Sequence, residues 1–512
     1  MTKRIHTALL AEFAEFMAVQ MGLLFPKERW LDLLKGIQAA SKEFGFDDPE
    51  ACIRWLMSTS LKKQHIETLA LQFTVGETYF FREPKIFEAL EKHILPELIR
   101  SRWESDRRIR FWSAGCCTGE EAYSIAILFS RMIPDLHTWK ISILGTDINP
   151  QFLQRAEEGV YREWSFRGTP YWLKENYFKV NAEGNYVIHP QIKKMVKFQS
   201  LNLVEDSYPS LFNDTNAMDI VFCRNVLMYF TQDHMNRIIE RFHQSLMDKG
   251  WLVVGSSETS HIFFPQYTAC NFPGAILYRK EKEAKRRYRD FVRGDGNDSA
   301  WDADPAFSTF VPRFHPREEK PAAAPARPRP VPEPAAETVV AAPPEPVSEY
   351  EQALGLYENG RYEEVIERSE KKLNGNGSDP KLMSLLAKAY ANRGQLKDAI
   401  VWCEKAISAE KLNPGHYHLR AVILQEQGDV ENAIASLKRA LYLDSDFVLA
   451  HFMLGNLSQQ AGKIRESRKY FENALALLKG VGQETVLTES GGMTAGRMQQ
   501  LILSTLNRGM NA

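Results

Sequence analysis

Gly360, Gly394, Gly428 and Gly462 stand 34 residues apart, and three more sets of small residues keep the same step. They are Ala353, Ala387, Ala421 and Gly455; Ala399, Ala433 and Ser467; and Ala406, Ala440 and Ala474. A period of that length holds two short helices and their turns, and it marks a stacked array. Small side chains at recurring positions let paired helices approach, and a glycine ending each first helix supplies a left-handed turn. An ordinary bundle has no reason to keep four positions in register. The last third of the chain therefore reads as a helical solenoid over residues 348–480, its first unit the most degenerate. A polar tail, 481–512, follows, with a further helix near Met498–Asn507.

Upstream, the pattern changes twice. The chain has 512 residues, enough for about two to four domains. Residues 1–75 carry apolar side chains at three- and four-residue spacing and no strand pattern. Trp30, Leu33, Leu34 and Ile37 make one face, Ile53, Leu56 and Met57 another, and Leu9, Leu10, Phe13, Phe16, Met17 and Val19 a third. Lys3 and Arg4 imitate the start of a secretory leader, but Glu12 and Glu15 interrupt the stretch and no small-residue cleavage site follows. Residues 76–280 alternate strands with helices. Arg108–Ala114, Lys140–Asp147, Val196–Leu203, Met218–Cys223 and Trp251–Ser256 read as strands. Glu120–Met132, Pro150–Glu158 and Asp233–Leu246 read as helices, and Gln266–Asn271 with Ala275–Arg279 as a closing hairpin. Such alternation predicts a mainly parallel sheet with helices on both faces. Residues 281–347 read as a disordered linker that begins with a charge-rich helix, Glu281–Asp290. Pro321–Pro346 is dominated by Pro, Ala and charged residues and buries too little apolar surface to offset ordering. The parts on either side are expected to move relative to one another.

Lys and Arg number 64 against 65 Asp and Glu, a net charge of -1. That balance offers no electrostatic case for nucleic acid or an acidic membrane as a bulk partner. No apolar run approaches the roughly 18 residues of a membrane span. Six cysteines without a Cys-x-x-Cys pair exclude zinc ribbons and thioredoxin-like sites and suit a reducing compartment. The twelve histidines show no ligand spacing, so no metal site is expected. A soluble, cytoplasmic protein is expected.

The chemistry concentrates in Phe111–Ser124, FWSAGCCTGEEAYS. A strand runs into a turn of small residues that opens a helix, so backbone can approach a ligand and helix N–H groups point at it. Gly-x-Gly-x-x-Gly is absent, and no Gly-Lys-Ser/Thr follows. The next strand ends in Asp147, placed to accept hydrogen bonds from ribose hydroxyls. Together these features suggest an adenosine-containing ligand. A solvated strand-end turn before Asn149-Pro150 is an equal reading of Asp147 alone.

Six segments in order resemble the chemotaxis receptor methyltransferases called CheR: TYFFRE at 78–83, SAGCCTGEEAYS, GTDIN, SLNL at 200–203, FCRNVLMYF at 222–230 and GSSE at 255–258. The resemblance covers about residues 1–280. The 34-residue pattern resembles the tetratricopeptide repeat, as in the repeat-bearing members of that family. The resemblance implies three parts: an all-α N-terminal domain, an α/β Rossmann-like class I methyltransferase domain and an α-helical tetratricopeptide solenoid beyond the Pro/Ala-rich linker. It also implies an S-adenosyl-L-methionine-dependent protein-glutamate O-methyltransferase. The substrates would be methyl-accepting chemotaxis receptors, the product S-adenosyl-L-homocysteine, and the repeats would take an unidentified protein or peptide. Thr78, Arg82, Glu121, Asp147, Asn202, Leu203, Arg224 and Asn225 map onto cofactor-contact positions, with Asp147 on the ribose and Asn202 and Leu203 flanking adenine. Arg82 pairs with either the substrate carboxylate or the methionine end of the cofactor. Tyr229 lies near the methyl in a positioning role, or simply packs under the sheet. Tyr161–His189 has room for the small β-subdomain that docks some receptors. One departure stands out: Gly76 occupies a position where the family often has Asn.

Overall fold

A computed structural model describes residues 5–104, 106–205, 207–259, 263–281, 289–290, 348–374, 378–483, 485–490 and 493–508. The expected linker lies almost wholly outside the described residues, and so does most of the expected helix Glu281–Asp290, whose last two residues form a short strand. The N-terminal helices are α1 (Thr7–Met21), α2 (Trp30–Glu43), α3 (Pro49–Ser58) and α4 (Lys63–Phe73). Phe13, Met17, Leu33, Ile37, Ile53 and Leu56 are fully buried between them. Val19 is 64% exposed, against expectation. It stands about 200° round the helix from Met17, opposite the buried stripe. Met57 also faces outward. Two further helices, α5 (Pro84–Ala89) and α6 (Leu95–Arg102), are joined through a π-turn at Leu90–Ile94 and lead to the sheet.

The strands are β1 (Arg108–Ala114), β2 (Lys140–Asp147), β3 (Val160–Tyr161), β4 (Phe178–Val180), β5 (Tyr186–Ile188), β6 (Val196–Ser200), β7 (Met218–Cys223), β8 (Leu246–Val254), β9 (Tyr267–Phe272), β10 (Ala275–Lys280) and β11 (Arg289–Asp290). The main sheet runs β11-β9-β10-β8-β7-β1-β2-β6. β1 pairs in parallel with β2 and β7, β2 with β6, and β7 with β8; β9 and β10 form the expected antiparallel hairpin. Alternate side chains enter separate cores. Phe111 and Phe222 enter one with α7 (Glu120–Met132) and α8 (Pro150–Glu158), and Trp112 and Val221 the other with α11 (Gln232–Ser245). β2 and β6 lie to one side of β1 and β7 to the other, so the strand order reverses there. The crevice beyond the carboxyl ends at such a reversal is where open α/β sheets hold ligands. β3, β5 and β4 make a separate antiparallel sheet, with α9 (Tyr171–Tyr177) and α10 (Pro190–Lys193), where a β-subdomain was expected.

The repeats are four helical pairs: α12 (Glu349–Glu358) with α13 (Tyr362–Asn374), α14 (Pro380–Asn392) with α15 (Leu396–Ala409), α16 (Pro414–Gln427) with α17 (Val430–Leu443), and α18 (Val448–Gln460) with α19 (Ile464–Leu478). A last helix, α20 (Ala495–Arg508), packs Met498 and Ile502 against Leu449 and Phe471. Each of the four periodic glycines ends a first helix at positive φ, between 69° and 80°.

Composition predicts two parts free to move, but the described residues on both sides of the linker form one compact unit. The glycine turns meet the amino-terminal edge of the sheet. A Cβ on Gly360 would sit 2.4 Å from Gln244 Cγ, one on Gly394 3.0 Å from Met247 Sδ, and one on Gly428 3.1 Å from Lys140 Nζ. Glu426 pairs with Arg108 at 2.5 Å and also with Arg110, Arg393 pairs with Asp248 at 3.0 Å, and Leu211 joins the apolar cluster of the array. Among the described residues, no helix is long and apolar enough to cross a membrane.

Candidate functional site

A cleft of about 1120 Å³, counting its open mouth, lies at the carboxyl ends of β1, β2 and β7. All nine residues singled out from sequence line it: Thr78, Arg82 and Glu121; Asp147, Asn202 and Leu203; Arg224, Asn225 and Tyr229. Three loops converge there in strained backbone. Phe81 and Glu83 (φ 53° and 59°), Cys117 (φ 50°) and Asn225 (φ 58°) all adopt the left-handed region without being glycine. Such strain persists only where surroundings over-determine it, and it gathers at ligand sites.

Asp147 ends β2. Its Oδ2 accepts the Cys117 N–H at 2.9 Å and its Oδ1 the Asn149 N–H at 2.9 Å. Burial pushes its carboxyl up, against those N–H bonds, which favour the charged form. Each oxygen keeps acceptor capacity beyond these bonds, which suits a pair of ribose hydroxyls. Glu121 accepts from Ser113 Oγ at 2.7 Å and from Arg224 Nη1 at 3.0 Å. Burial raises its carboxyl as well, while Arg224 opposes the rise. Its neighbour Glu120 turns away to Thr118 and Ser165, at 2.6 and 2.9 Å. Arg224 is buried and engaged through both terminal nitrogens: Nη1 holds Glu121, and Nη2 donates to the Arg82 carbonyl at 2.6 Å and lies 3.4 Å from Glu83. It ties the β7 loop to the Arg82 loop. Arg82 donates to the Glu77 carbonyl at 2.6 Å. The carboxylates near it in sequence have other partners, Glu83 with Arg224 and Glu88 with Lys85 and Lys92.

The N-terminal helices roof the cleft. The Leu24 N–H donates to the Tyr229 carbonyl at 2.7 Å, Leu23 bridges Phe230, and the Arg29 guanidinium lies 5.4 Å from the Tyr229 ring centre. Asn149 caps α8 and donates through Nδ2 to Thr74 Oγ1 at 2.9 Å, fixing the roof to the Asp147 turn. Phe152 explains Gly76. A Cβ there would lie 2.7 Å from the tip of its ring, which fills the space an Asn side chain would take. Gly76→Asn is therefore expected to weaken cofactor binding by roughly tenfold through overpacking. Phe152→Leu in the same chain should restore most of the loss, as read by calorimetry.

Sequence reasoning missed Glu258. Its carboxylate is half-buried and accepts the N–H groups of Asn225 at 2.6 Å, Gly255 at 2.9 Å and Met228 at 3.2 Å. It holds Asn225 in its left-handed turn. The signal was present, since GSSE is one of the six segments, but a partner 33 residues away has no local period. Glu258→Ala should cost about 2 kcal/mol in urea denaturation, because three aligned N–H groups lose a charged acceptor. Unchanged stability would remove this role.

These features fit an adenosyl donor. Asn225 Oδ1 is buried without a hydrogen-bond partner, an acceptor waiting for a donor. Asn202 Oδ1 accepts the Val204 N–H at 3.2 Å, so Nδ2 is the amide group left for an adenine edge. All six cysteines are buried and free, and burial pushes the Cys116, Cys117 and Cys223 thiols up, so none is a ready nucleophile.

Residues 76–268 match the CheR methyltransferase SAM-binding domain, and residues 380–411 and 421–462 match tetratricopeptide repeats. The chain is 32% identical over 252 residues to a chemotaxis protein methyltransferase of Borreliella burgdorferi, covering 49% of this chain and 87% of that one. It is 33% identical to chemotaxis protein methyltransferase 2 of Vibrio cholerae, covering 43% and 75%. It is 28% identical over 383 residues to the probable biofilm formation methyltransferase WspC of Pseudomonas aeruginosa, covering 73% and 85%. The α/β domain uses S-adenosylmethionine, and the chain belongs to the CheR family of chemotaxis protein methyltransferases, with tetratricopeptide repeats at its carboxyl side.

Proposed function

We propose that this enzyme methylates glutamate side chains on the cytoplasmic helices of methyl-accepting chemotaxis receptors, and that its repeats bind a protein or peptide partner. One observation carries the reading: Arg82 and Tyr229 line the mouth of a cleft whose inner acceptors, Asp147 and Asn225, suit the cofactor. Bound there, S-adenosylmethionine supplies a methyl group activated on a sulfonium. The chain's own residues do the rest. Asp147 accepts from the ribose and Asn202 donates to the adenine. Arg82 presents N–H groups to a carboxylate. Tyr229, held by Arg29 and by the bond to Leu24, fixes one wall of the approach. The substrate carboxylate is ionised at pH 7, so no general base is needed. Catalysis then rests on alignment, with water excluded by the helical roof.

Incubation with methyl-labelled cofactor and receptor cytoplasmic fragments should leave label on the receptor that mild alkali releases as methanol, as an ester requires. WspC is named for biofilm formation, so the fragments tested should include receptors that act in biofilm formation. Alkali-stable label, or none on any receptor of the host, would refute the assignment.

A further inference from the structure

The face built by the first helices of the repeat pairs is partly covered by the chain's own tail. Beyond α19 the chain folds back: Val486 bridges Thr494, the Leu487 N–H donates to the Met493 carbonyl at 2.9 Å, and the Ser490 N–H donates to the Leu487 carbonyl at 3.2 Å. At the tip of this turn is Glu489, held in the left-handed region at φ 62°. Its Oε2 accepts from Lys388 Nζ on α14 at 2.6 Å. Its Cγ and Cδ lie 3.0 and 3.3 Å from where a Cβ on Gly415 would stand, so the absence of a side chain at the start of α16 admits it. His416, beside Gly415, is itself held by Ser384 at 2.8 Å and Glu410 at 3.0 Å. Among the described residues Lys388 pairs directly with the Glu489 carboxylate, and His418 and His416 lie close enough to favour its charged form as well.

The grip is narrow. Ser490 is buried, but Thr485, Val486 and Thr488 are exposed, with Val486 at 57%. The turn is anchored at its base, where Leu487 and Met493 pack beside Leu449 and Phe471, and only its tip is held by a half-buried ion pair, the part that a competing carboxylate can displace. It nevertheless puts a carboxylate, in a strained residue, against a lysine and the first turn of a helix, where negative charge is favoured. We propose that the α14–α16 face receives an acidic segment of a partner protein, and that the turn at Glu489 occupies this site in cis until the partner displaces it. The proposal deepens the reading of the repeats as a protein-binding module and rests on it.

The probe is a fluorescent peptide carrying residues 483–494, added to the full-length chain and read by anisotropy. Wild type should bind it weakly, because the tethered copy competes at high effective concentration. Glu489→Ala should bind it about tenfold more tightly, and Lys388→Met in that background should reverse the gain. A peptide with Gln in place of the glutamate equivalent to Glu489 should bind about tenfold more weakly. A reordered peptide of the same composition that keeps its central glutamate should still bind, as a partner site requires. Three results would overturn the proposal: no gain in Glu489→Ala, equal binding of the Gln peptide, or binding of the native order alone, which would make the turn a mere strap. Thermal melts establish that the variants fold. Methyl transfer should be unchanged in all of them, so failure to methylate receptors and failure to bind the peptide are separate outcomes.

Discussion

Asp147→Ala should weaken binding of S-adenosylhomocysteine on the order of 100-fold or more in calorimetry, and methyl transfer should fall with it. Two effects combine. A hydrogen bond to a charged acceptor contributes about 1.5–3 kcal/mol, and two ribose hydroxyls would both lose theirs. The turn itself also depends on this carboxylate: Cys117, at φ 50°, and Asn149 each donate their N–H to it. Without that acceptor the Cys117 N–H loses its partner, and only the Gly115 and Cys116 bonds to the Thr146 carbonyl still tie the turn to β2 where it must approach the ligand. Asp147→Asn separates the two effects. It keeps one acceptor oxygen and the side-chain shape, so it should lose roughly tenfold. Affinity near that of the parent in both variants would show that the ribose is held elsewhere and would void the site assignment.

Features with local signatures were legible in the sequence. The strand–turn–helix at 111–124 forms as read, because apolar runs of that length bounded by small residues leave few alternatives. The repeats were legible because one period recurs four times. The nine cleft residues were gathered by segment order, and the fold brings all of them to the carboxyl ends of β1, β2 and β7. What escaped notice depends on partners distant in sequence. Nothing local marks Arg224 as a strut between Glu121, 103 residues away, and the Arg82 carbonyl, 142 away. The three N–H groups converging on Glu258 are equally silent. Val19 was misread because a run of apolar residues was treated as one stripe, whereas only the three- and four-step subset faces the core. The seating of the array against the sheet was the largest miss. Linker composition speaks only for the linker, and the contacts that oppose free motion span more than 300 residues.

Glu426→Ala should destabilise the chain by about 3–5 kcal/mol, the cost of removing one member of a buried ionic cluster. The Glu426 carboxylate is about 10% exposed and lies between Arg108, also 10% exposed, and Arg110, 4% exposed, at the start of β1. Neither guanidinium can turn to water at little cost. Arg110 is further pinned by the Asp214 carbonyl at 2.6 Å, and its own N–H donates to Asp219 at 2.9 Å. Asp219 in turn holds Arg102 at 2.9 Å. Taking away Glu426 therefore leaves two confined cations beside each other, and relief comes only if the array lifts away. Gly360, Gly394 and Gly428 allow that array to sit close, but they provide no attraction of their own. The variant should thus show both a lower urea midpoint and faster protease cleavage at the turn between α16 and α17. Cofactor affinity should change little, by less than about threefold, because β1 remains paired with β2 and β7 as far as the Gly115 turn. Replacing all three charges, Arg108→Met, Arg110→Met and Glu426→Leu, should recover most of the loss, since an apolar cluster of similar volume avoids the desolvation that the ions incur. If Glu426→Ala unfolds like the parent while the array stays seated, the attachment must come from the remaining contacts: the Arg393–Asp248 pair, the bonds that Gln244 and Lys140 donate to the Asn359 and Gln427 carbonyls, and the apolar contact at Leu211.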